Sequence, residues 1–257
     1  MEGGRRHEFP HYFSEGKKLF QVVAKITDEP GSLGAILNRM GNRVNLVGIT
    51  SYPAGDNSAV ISAFVEALSD GETAEKLQTL LVSSSAVIDS MVKEGKEGIL
   101  VDTYNTGLET DGEGVMLLRR QSMAQMFDRV FLLFGSGGEA LLYEEGMAVG
   151  KANGESMSKL IGADKMRANL DYLRYNLRAQ GWGAVTVKEG EGGTNTITIA
   201  DCFECSDGRG RRSGCHFFRG YIVGNRTAIF GKGFDVEEVK CRLKGDRTCE
   251  FSVKQSS

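Results

Sequence analysis

The sequence predicts an α+β protein built from two domains, and three observations carry that prediction. Its 257 residues suit one large or two medium domains. Up to residue 94, strand-like and helix-like patterns follow one another in the order βαββαβ, a split-βαβ sandwich. After a stretch rich in Gly, Glu, Asp and Thr, the pattern from Val115 onward changes to helices followed by alternating strands and a terminal hairpin.

Each element has its own signal. The first 17 residues, MEGGRRHEFPHYFSEGK, are polar and read as a frayed tail. Lys18 to Asp28 is apolar and β-branched and reads as a strand, stopped by Glu29-Pro30-Gly31. Ser32 to Arg43 carries Leu33, Ile36, Leu37 and Met40 at helical spacing, with Ser32 as its cap. Val44 to Ser51 and Ala59 to Ala67 read as strands either side of the turn-rich 52–57. A helix over Glu72 to Val82 and a strand over Ala86 to Val92 complete the first domain, 18–94. Residues 95–114 read as a linker, with a short strand at Ile99 to Val101, and the second domain runs over 115–254.

In that second domain Met123 to Phe134 places Met126, Phe127, Val130, Phe131 and Phe134 along one side of a helix. Glu139 to Ala152 and Met166 to Gln180 are further helices, and Gly-Ser-Gly-Gly at 135–138 is a loop between helices. Ala184 to Lys188 and Thr196 to Ala200 alternate as strands with one buried face. His216 to Phe230 reads as a helix weakened by Gly220 and Gly224. Val239 to Leu243 and Thr248 to Val253 read as a hairpin turning at Gly245.

Composition narrows the function classes. Apolar residues make up 40% and charged residues 25%, with a net charge of −3, so bulk electrostatics does not drive binding to nucleic acid. The one dense basic run, Arg209-Gly210-Arg211-Arg212, reads as a solvated loop. The longest apolar candidate, Val130 to Phe134, falls far short of the roughly 18 residues that span a bilayer. A cytoplasmic location with no membrane partner is expected. In that compartment thiols stay reduced, and clustered cysteines point to metal or redox chemistry more often than to disulfides. There is no Ser/His/Asp set, phosphate-cradling loop or dinucleotide fingerprint, so no residue is assigned a catalytic role and the reading leans away from an enzyme.

The chain has 5 cysteines. Cys241 and Cys249 are equidistant from Gly245, so in a hairpin they face each other with Cβ atoms about 4.5–5.5 Å apart. Cys215 lies ahead of a helix, and Glu237 or Glu238 lies just upstream of Cys241. Three sulfurs and one carboxylate make a closed four-coordinate site suited to structural zinc, with no open position for a substrate. The alternative is three inert cysteines packed as small hydrophobes. Strand alternation favours Glu237 as the acidic partner of Cys241, unless a bulge or bend before Val239 brings Glu238 round. Cys202 and Cys205 form a CxxC at a strand end, read either as one partly buried and one exposed cysteine, as a second metal site, or as a redox pair.

Two resemblances add to this reading. The segment KITDEPGSLGAILNRMGNRVNLVGI, with its Asp28-Glu29-Pro30-Gly31-Ser32-Leu33 loop, resembles the opening of an ACT domain, which implies a ferredoxin-like fold for residues 18–94. Proline fixes the entry into the helix, glycine permits close backbone approach, and free amides at the helix start attract a carboxylate. The resemblance implies an amino-acid ligand or a dimerisation surface, with Asp28, Gly31, Ser32, Leu33 and Asn45 as contacts.

The segments GWGAVTV, SGCHFFRGYIVG and GKGFDVEEVKCRLKGDRTCEF together resemble a 4-vinyl reductase domain, also called a hydrocarbon-binding module. That resemblance covers 115–254 and implies Cys215, Glu238, Cys241 and Cys249 as zinc ligands. It also implies an apolar pocket near Trp182, for which the aromatic Phe127, Phe131, Phe217 and Tyr221 are the candidate lining. The 3 histidines lie outside the helices of 115–180, which argues against a phenol-type pocket histidine. The expected protein is a homo-oligomeric small-molecule sensor that passes its output to a partner protein, with an apolar or aromatic ligand in the second half. The alternative is a carrier for a hydrophobic cofactor such as a tetrapyrrole intermediate.

Overall fold

The computed structural model describes residues 10–168, 170–190, 194–205 and 213–256. The basic run at 209–212 lies outside the described residues. The chain divides into two compact units after Leu108.

The first unit is built on a four-stranded antiparallel sheet. After β1 (His11–Phe13) come β2 (Leu19–Thr27), α1 (Ser32–Met40), β3 (Val44–Gly55), β4 (Ser58–Ala67), α2 (Ala74–Val82) and β5 (Val87–Glu94). The sheet order is β3-β4-β2-β5, so the two most apolar strands take the centre. On one face Phe20, Val22, Ala24, Ile61, Ala63 and Val65 pack against Ile36 and Met40 of α1 and Leu77 and Leu81 of α2. The other face is partly closed by residues that follow β5. The short β6 (Ile99–Val101) pairs antiparallel with β1, and Leu100 packs on Leu19 and Phe64. Gln21, fully buried on this face, bonds Ser62 Oγ at 3.2 Å and Asp102 at 2.6 Å. The expected frayed tail is therefore a strand from His11 onward, and the expected linker contains its partner. The short strand at Ile99 to Val101 is the one expected there; His11–Phe13 was too short to announce itself by pattern.

The expected cap of α1 is corrected by one residue. Gly31, at φ 95°, is the N-cap, and no side chain caps this helix. The Ser32 hydroxyl turns instead to Thr27 Oγ1, 2.9 Å away. At α2, Thr73 accepts from the Lys76 amide and Glu75 occupies the first turn, so the helix starts at Ala74.

The second unit opens with the small pair β7 (Leu108–Thr110) and β8 (Glu113–Val115). It continues through α3 (Arg120–Phe134), α4 (Ser136–Ile161), α5 (Ala163–Ala168) and α6 (Leu170–Ala179). Then come β9 (Ala184–Glu189), β10 (Asn195–Ala200), α7 (His216–Phe230), β11 (Phe234–Lys240) and β12 (Cys249–Gln255). The antiparallel sheet runs β11-β12-β10-β9. One helical expectation changes here: the Gly-Ser-Gly-Gly loop shrinks to Gly135, because α4 already begins at Ser136. The helix expected over 166–180 is described as α5 and α6 on either side of residue 169.

Helices α4 and α7 cross at backbone contact. Gly146, Gly150 and Gly154 recur every fourth residue on α4, and Gly220 and Gly224 do so on α7. A Cβ on Gly220 would lie 2.0 Å from the Tyr143 carbonyl oxygen, and one on Gly224 would lie 2.0 Å from that of Met147. The glycines that weaken α7 by propensity are the ones that let it dock. Its other face carries Phe218 onto Phe251 of the sheet, with ring centroids 5.6 Å apart.

Candidate functional site

Three segments that are distant in sequence bring all five cysteines to one buried spot. Cys202 precedes and Cys205 ends a 3₁₀ turn, Phe203–Cys205, just past the end of β10. Cys215 is the N-cap residue of α7. Cys241 leads into a second 3₁₀ turn, Arg242–Lys244, and Cys249 begins β12. The hairpin reading is corrected in one respect: Cys241 and Leu243 lie outside the strand, which ends at Lys240. Cys241 is still held beside β12. Its amide donates to Asp246 Oδ2 at 2.8 Å, and its carbonyl accepts from Lys244 and Asp246. Gly245, at φ 98°, makes that tight turn possible.

Six pairs of these sulfurs lie within 4 Å of each other. Cys215 Sγ is 3.8 Å from Cys241 and 3.5 Å from Cys249. Cys205 Sγ is 3.0 Å from Cys215, 3.5 Å from Cys249 and 3.9 Å from Cys241. Cys202 Sγ is 3.9 Å from Cys215. The CxxC is thus buried at both cysteines, where one exposed residue was expected. Two groups have ligand atoms mutually within 4.8 Å: Cys202, Cys205, Cys215 and Cys249, and Cys215, Glu238, Cys241 and Cys249. A tetrahedral ion with Zn–S of about 2.3 Å needs sulfurs about 3.8 Å apart, so the donor set fits a soft or borderline metal.

Two carboxylates organise the site, Glu238 half-buried and Glu204 buried. Both oxygens of Glu238 accept from the Cys215 amide, at 3.2 and 3.1 Å. Glu238 reaches this position because the register of β11 against β12 shifts between Glu238 and Lys240. This is the bulge that the conflict between Glu238 and Cys241 called for, and it leaves Val239 pointing to solvent. Gly214 gives the carboxylate room, since a Cβ there would lie 2.2 Å from Glu238 Oε2. Glu204, between the two cysteines of the CxxC, is fully buried and accepts from the Phe217 and Phe218 amides at 3.1 and 2.8 Å. These are the N2 and N3 amides of α7, so a remote carboxylate caps this helix. Sequence reasoning missed Glu204, because its partners lie 13 and 14 residues away and no local capping pattern marks it.

The electrostatics follow from this crowding. The neighbouring thiols, Cys202 foremost, push Cys205 and Cys215 well above the ordinary thiol range. The same neighbours, again led by Cys202, draw Cys249 well below it. Burial raises Glu238, partly offset by hydrogen bonds from Cys241 and the Cys215 amide.

The predicted ligand-lining aromatics gather beside the cysteines, with one exception. Phe127 stacks on Phe217 at 5.0 Å, and Trp182 lies 4.7 Å from Tyr221 and 6.1 Å from Phe217. Phe203, absent from the expected set, joins them 4.9 Å from Trp182. Phe131 is half-buried on α3. The Tyr221 hydroxyl donates to Asn153 at 3.0 Å and gives the group a polar tip. A cleft of about 330 Å³ lies elsewhere in this unit, lined by Tyr143, Arg219, Phe234 and Glu237 among others.

In the first unit Asp28, Gly31 and Asn45 are exposed, Ser32 is buried and Leu33 is half-buried in the core. No helix among the described residues is long and apolar enough to cross a membrane.

Comparison with known proteins matches residues 195–255 to the 4-vinyl reductase domain. An uncharacterized protein of Methanocaldococcus jannaschii, MJ0150, is 30% identical over 124 residues, which are 48% of this chain and 68% of that protein. Among solved structures, the phenol-responsive sensory domain of the transcription activator PoxR is 20% identical. The match covers 62% of this chain and 81% of that one, with a TM-score of 0.46. A vinyl-4-reductase family protein from Methanocaldococcus jannaschii is also 20% identical, covering 56% and 85%, with a TM-score of 0.41.

Proposed function

The chain belongs to the family of 4-vinyl reductase domain proteins, and from that premise we propose that it is a small-molecule-binding sensor. Its second unit takes a small apolar or aromatic ligand against Phe127, Phe131, Trp182, Phe217 and Tyr221. A structural zinc ion sits at Cys215, Cys241 and Cys249, with Glu238 as the carboxylate that the family resemblance adds to this set.

One observation carries this reading. Cys215 caps the helix that also supplies Phe217 and Tyr221, so one short run of α7 links the metal cluster to the aromatic nest. An ion that fixes the first turn of α7 fixes the rings that meet the ligand, and a ligand that moves those rings bears on the same turn. Rings with a single polar tip at Tyr221 and Asn153 suit an apolar body carrying one hydrogen-bonding group.

The first unit is proposed to be an ACT-type module. Its support is the βαββαβ order, the β3-β4-β2-β5 sheet and the uncapped start of α1 after Gly31. It binds an amino acid at Asp28, Gly31, Ser32, Leu33 and Asn45, or pairs two copies of the chain as a homo-oligomer in the cytoplasm.

Trp182 is the sole tryptophan and reports directly on the proposed pocket. The test is titration of its emission with toluene, phenol, palmitate and protoporphyrin IX, in the full chain and in Tyr221→Ala. A saturable change with an aromatic probe, weakened at least about tenfold in the variant, is expected. The same unsaturable response in both proteins overturns the proposal. A chain that purifies coloured with bound tetrapyrrole replaces sensing with carriage.

A further inference from the structure

We infer that Cys205 is a ligand of the same metal ion, so that the centre is a tetrathiolate of Cys205, Cys215, Cys241 and Cys249. This rests on the zinc reading above and departs from it in one ligand: Cys205 takes the place of Glu238. Nothing in the sequence pattern assigns Cys205 to the ion, because it belongs to the separate CxxC.

The argument is geometric. In a tetrahedral zinc–thiolate site the sulfurs stand about 3.8 Å apart. Cys205 Sγ lies 3.0, 3.5 and 3.9 Å from Cys215, Cys249 and Cys241. Those three sulfurs in turn lie close together, with Cys215 at 3.8 Å from Cys241 and 3.5 Å from Cys249. Cys241 and Cys249 have their sulfurs within 4.8 Å of each other, so Cys205 lies over the face that the other three form. All four sulfurs are buried, so the ion they hold is cut off from water, as in structural sites with four protein ligands.

Glu238 already has a partner that explains its place. Both of its oxygens accept from the Cys215 amide, and Gly214 makes room for them there. In this arrangement Glu238 is a positioning residue: it orients the Cys215 backbone, as outer partners commonly orient metal ligands. Glu204 does the matching work on the other side. Its carboxylate ties the turn that carries Cys205 to the first amides of α7. The Cys205 amide also donates to the Cys202 carbonyl at 3.1 Å, which tightens that turn. Cys202 reaches Cys215 at 3.9 Å and also groups with Cys205 and Cys249; in the arrangement inferred here it is the thiol left outside the tetrahedron.

The deciding experiment is zinc-edge X-ray absorption on the full chain, with metal content measured first on the same samples. The variants are Cys202→Ser, Cys202→Ser/Cys205→Ser and Glu238→Gln. Expected are four sulfurs at about 2.3 Å in the parent, Cys202→Ser and Glu238→Gln proteins. Three sulfurs and one oxygen or nitrogen are expected in the double variant, and circular dichroism confirms that each protein is folded. Three sulfurs plus an oxygen at about 2.0–2.2 Å in the parent, with that oxygen shell changed in Glu238→Gln and not in the double variant, overturns the inference and leaves the zinc reading standing. A parent protein that holds no metal overturns both.

Discussion

Gly146 of α4 and Phe217 of α7 meet so closely that a Cβ on Gly146 would lie 2.0 Å from the Phe217 carbonyl oxygen. The obstacle is backbone, so no rotamer change relieves it. Gly146→Ala is expected to push α7 off α4 and to cost about 3 kcal/mol or more. Urea denaturation reads that loss directly. Because Phe217 lies two residues beyond Cys215, the same variant is expected to lower metal retention. Unchanged stability contradicts the tight crossing.

Glu204 caps α7 from a distance, and the cost of removing it is separable from the metal. Glu204→Gln keeps the size but turns an amide donor toward the Phe217 or Phe218 amide. A loss of about 1–3 kcal/mol is expected for the spoiled buried pair. Amide hydrogen exchange at Phe217 and Phe218 should speed up more than exchange in the last turn of α7. Uniform exchange along the helix contradicts the capping role.

Asp102 gives the first unit an acid-dependent term. Burial works to raise its carboxyl, but hydrogen bonds from the Asn105 side chain and amide, Gln21 and the Tyr104 amide outweigh it and hold it below the ordinary range. A carboxyl depressed in the folded state stabilises above its unfolded value, near pH 4, and that contribution fades as pH falls through the folded value. Asp102→Asn should therefore lower the melting temperature at pH 7, and the gap to the parent should close below about pH 4. A gap that is the same at both pH values contradicts this account.

Arg226 is buried on α7, and its Nε and Nη2 atoms meet no partner among the described residues. Burial lowers the guanidinium to about 10, and the Phe230 ring, 5.7 Å away, offers only partial compensation. Replacing a poorly paired buried charge with an apolar chain of similar length is neutral or stabilising by about 1–4 kcal/mol. Arg226→Met is expected to raise the urea midpoint, and a fall of more than about 1 kcal/mol contradicts that expectation.

Much of the fold was legible because its signals are local. The period of Leu33, Ile36, Leu37 and Met40 marks α1, and the apolar β2 and β4 take the centre of their sheet. Where neighbours distant in sequence decide, the sequence misleads. Gly220 and Gly224 count against a helix by propensity, yet they are the contact surface of α7. Ser32 looks like a cap, but Gly31 at positive φ takes that role. His11–Phe13 looks like tail until Ile99–Val101 supplies a partner. At the site, the nearness of Cys241 and Cys249 was readable from their equal spacing about Gly245, and the need for a bulge near Val239 from setting strand alternation, which favours Glu237, against the family resemblance, which implies Glu238. That Cys205 joins them was not, because 36 residues separate it from Cys241 and only the docking of α7 closes the distance.

The most direct test of the central claim is the metal content of the chain purified without added metal, beside Cys241→Ser/Cys249→Ser. The account predicts about one zinc per chain in the parent and its loss in the variant. Parent protein free of metal, with the same melting temperature before and after treatment with a chelator, would contradict it and reduce the cysteines to core packing.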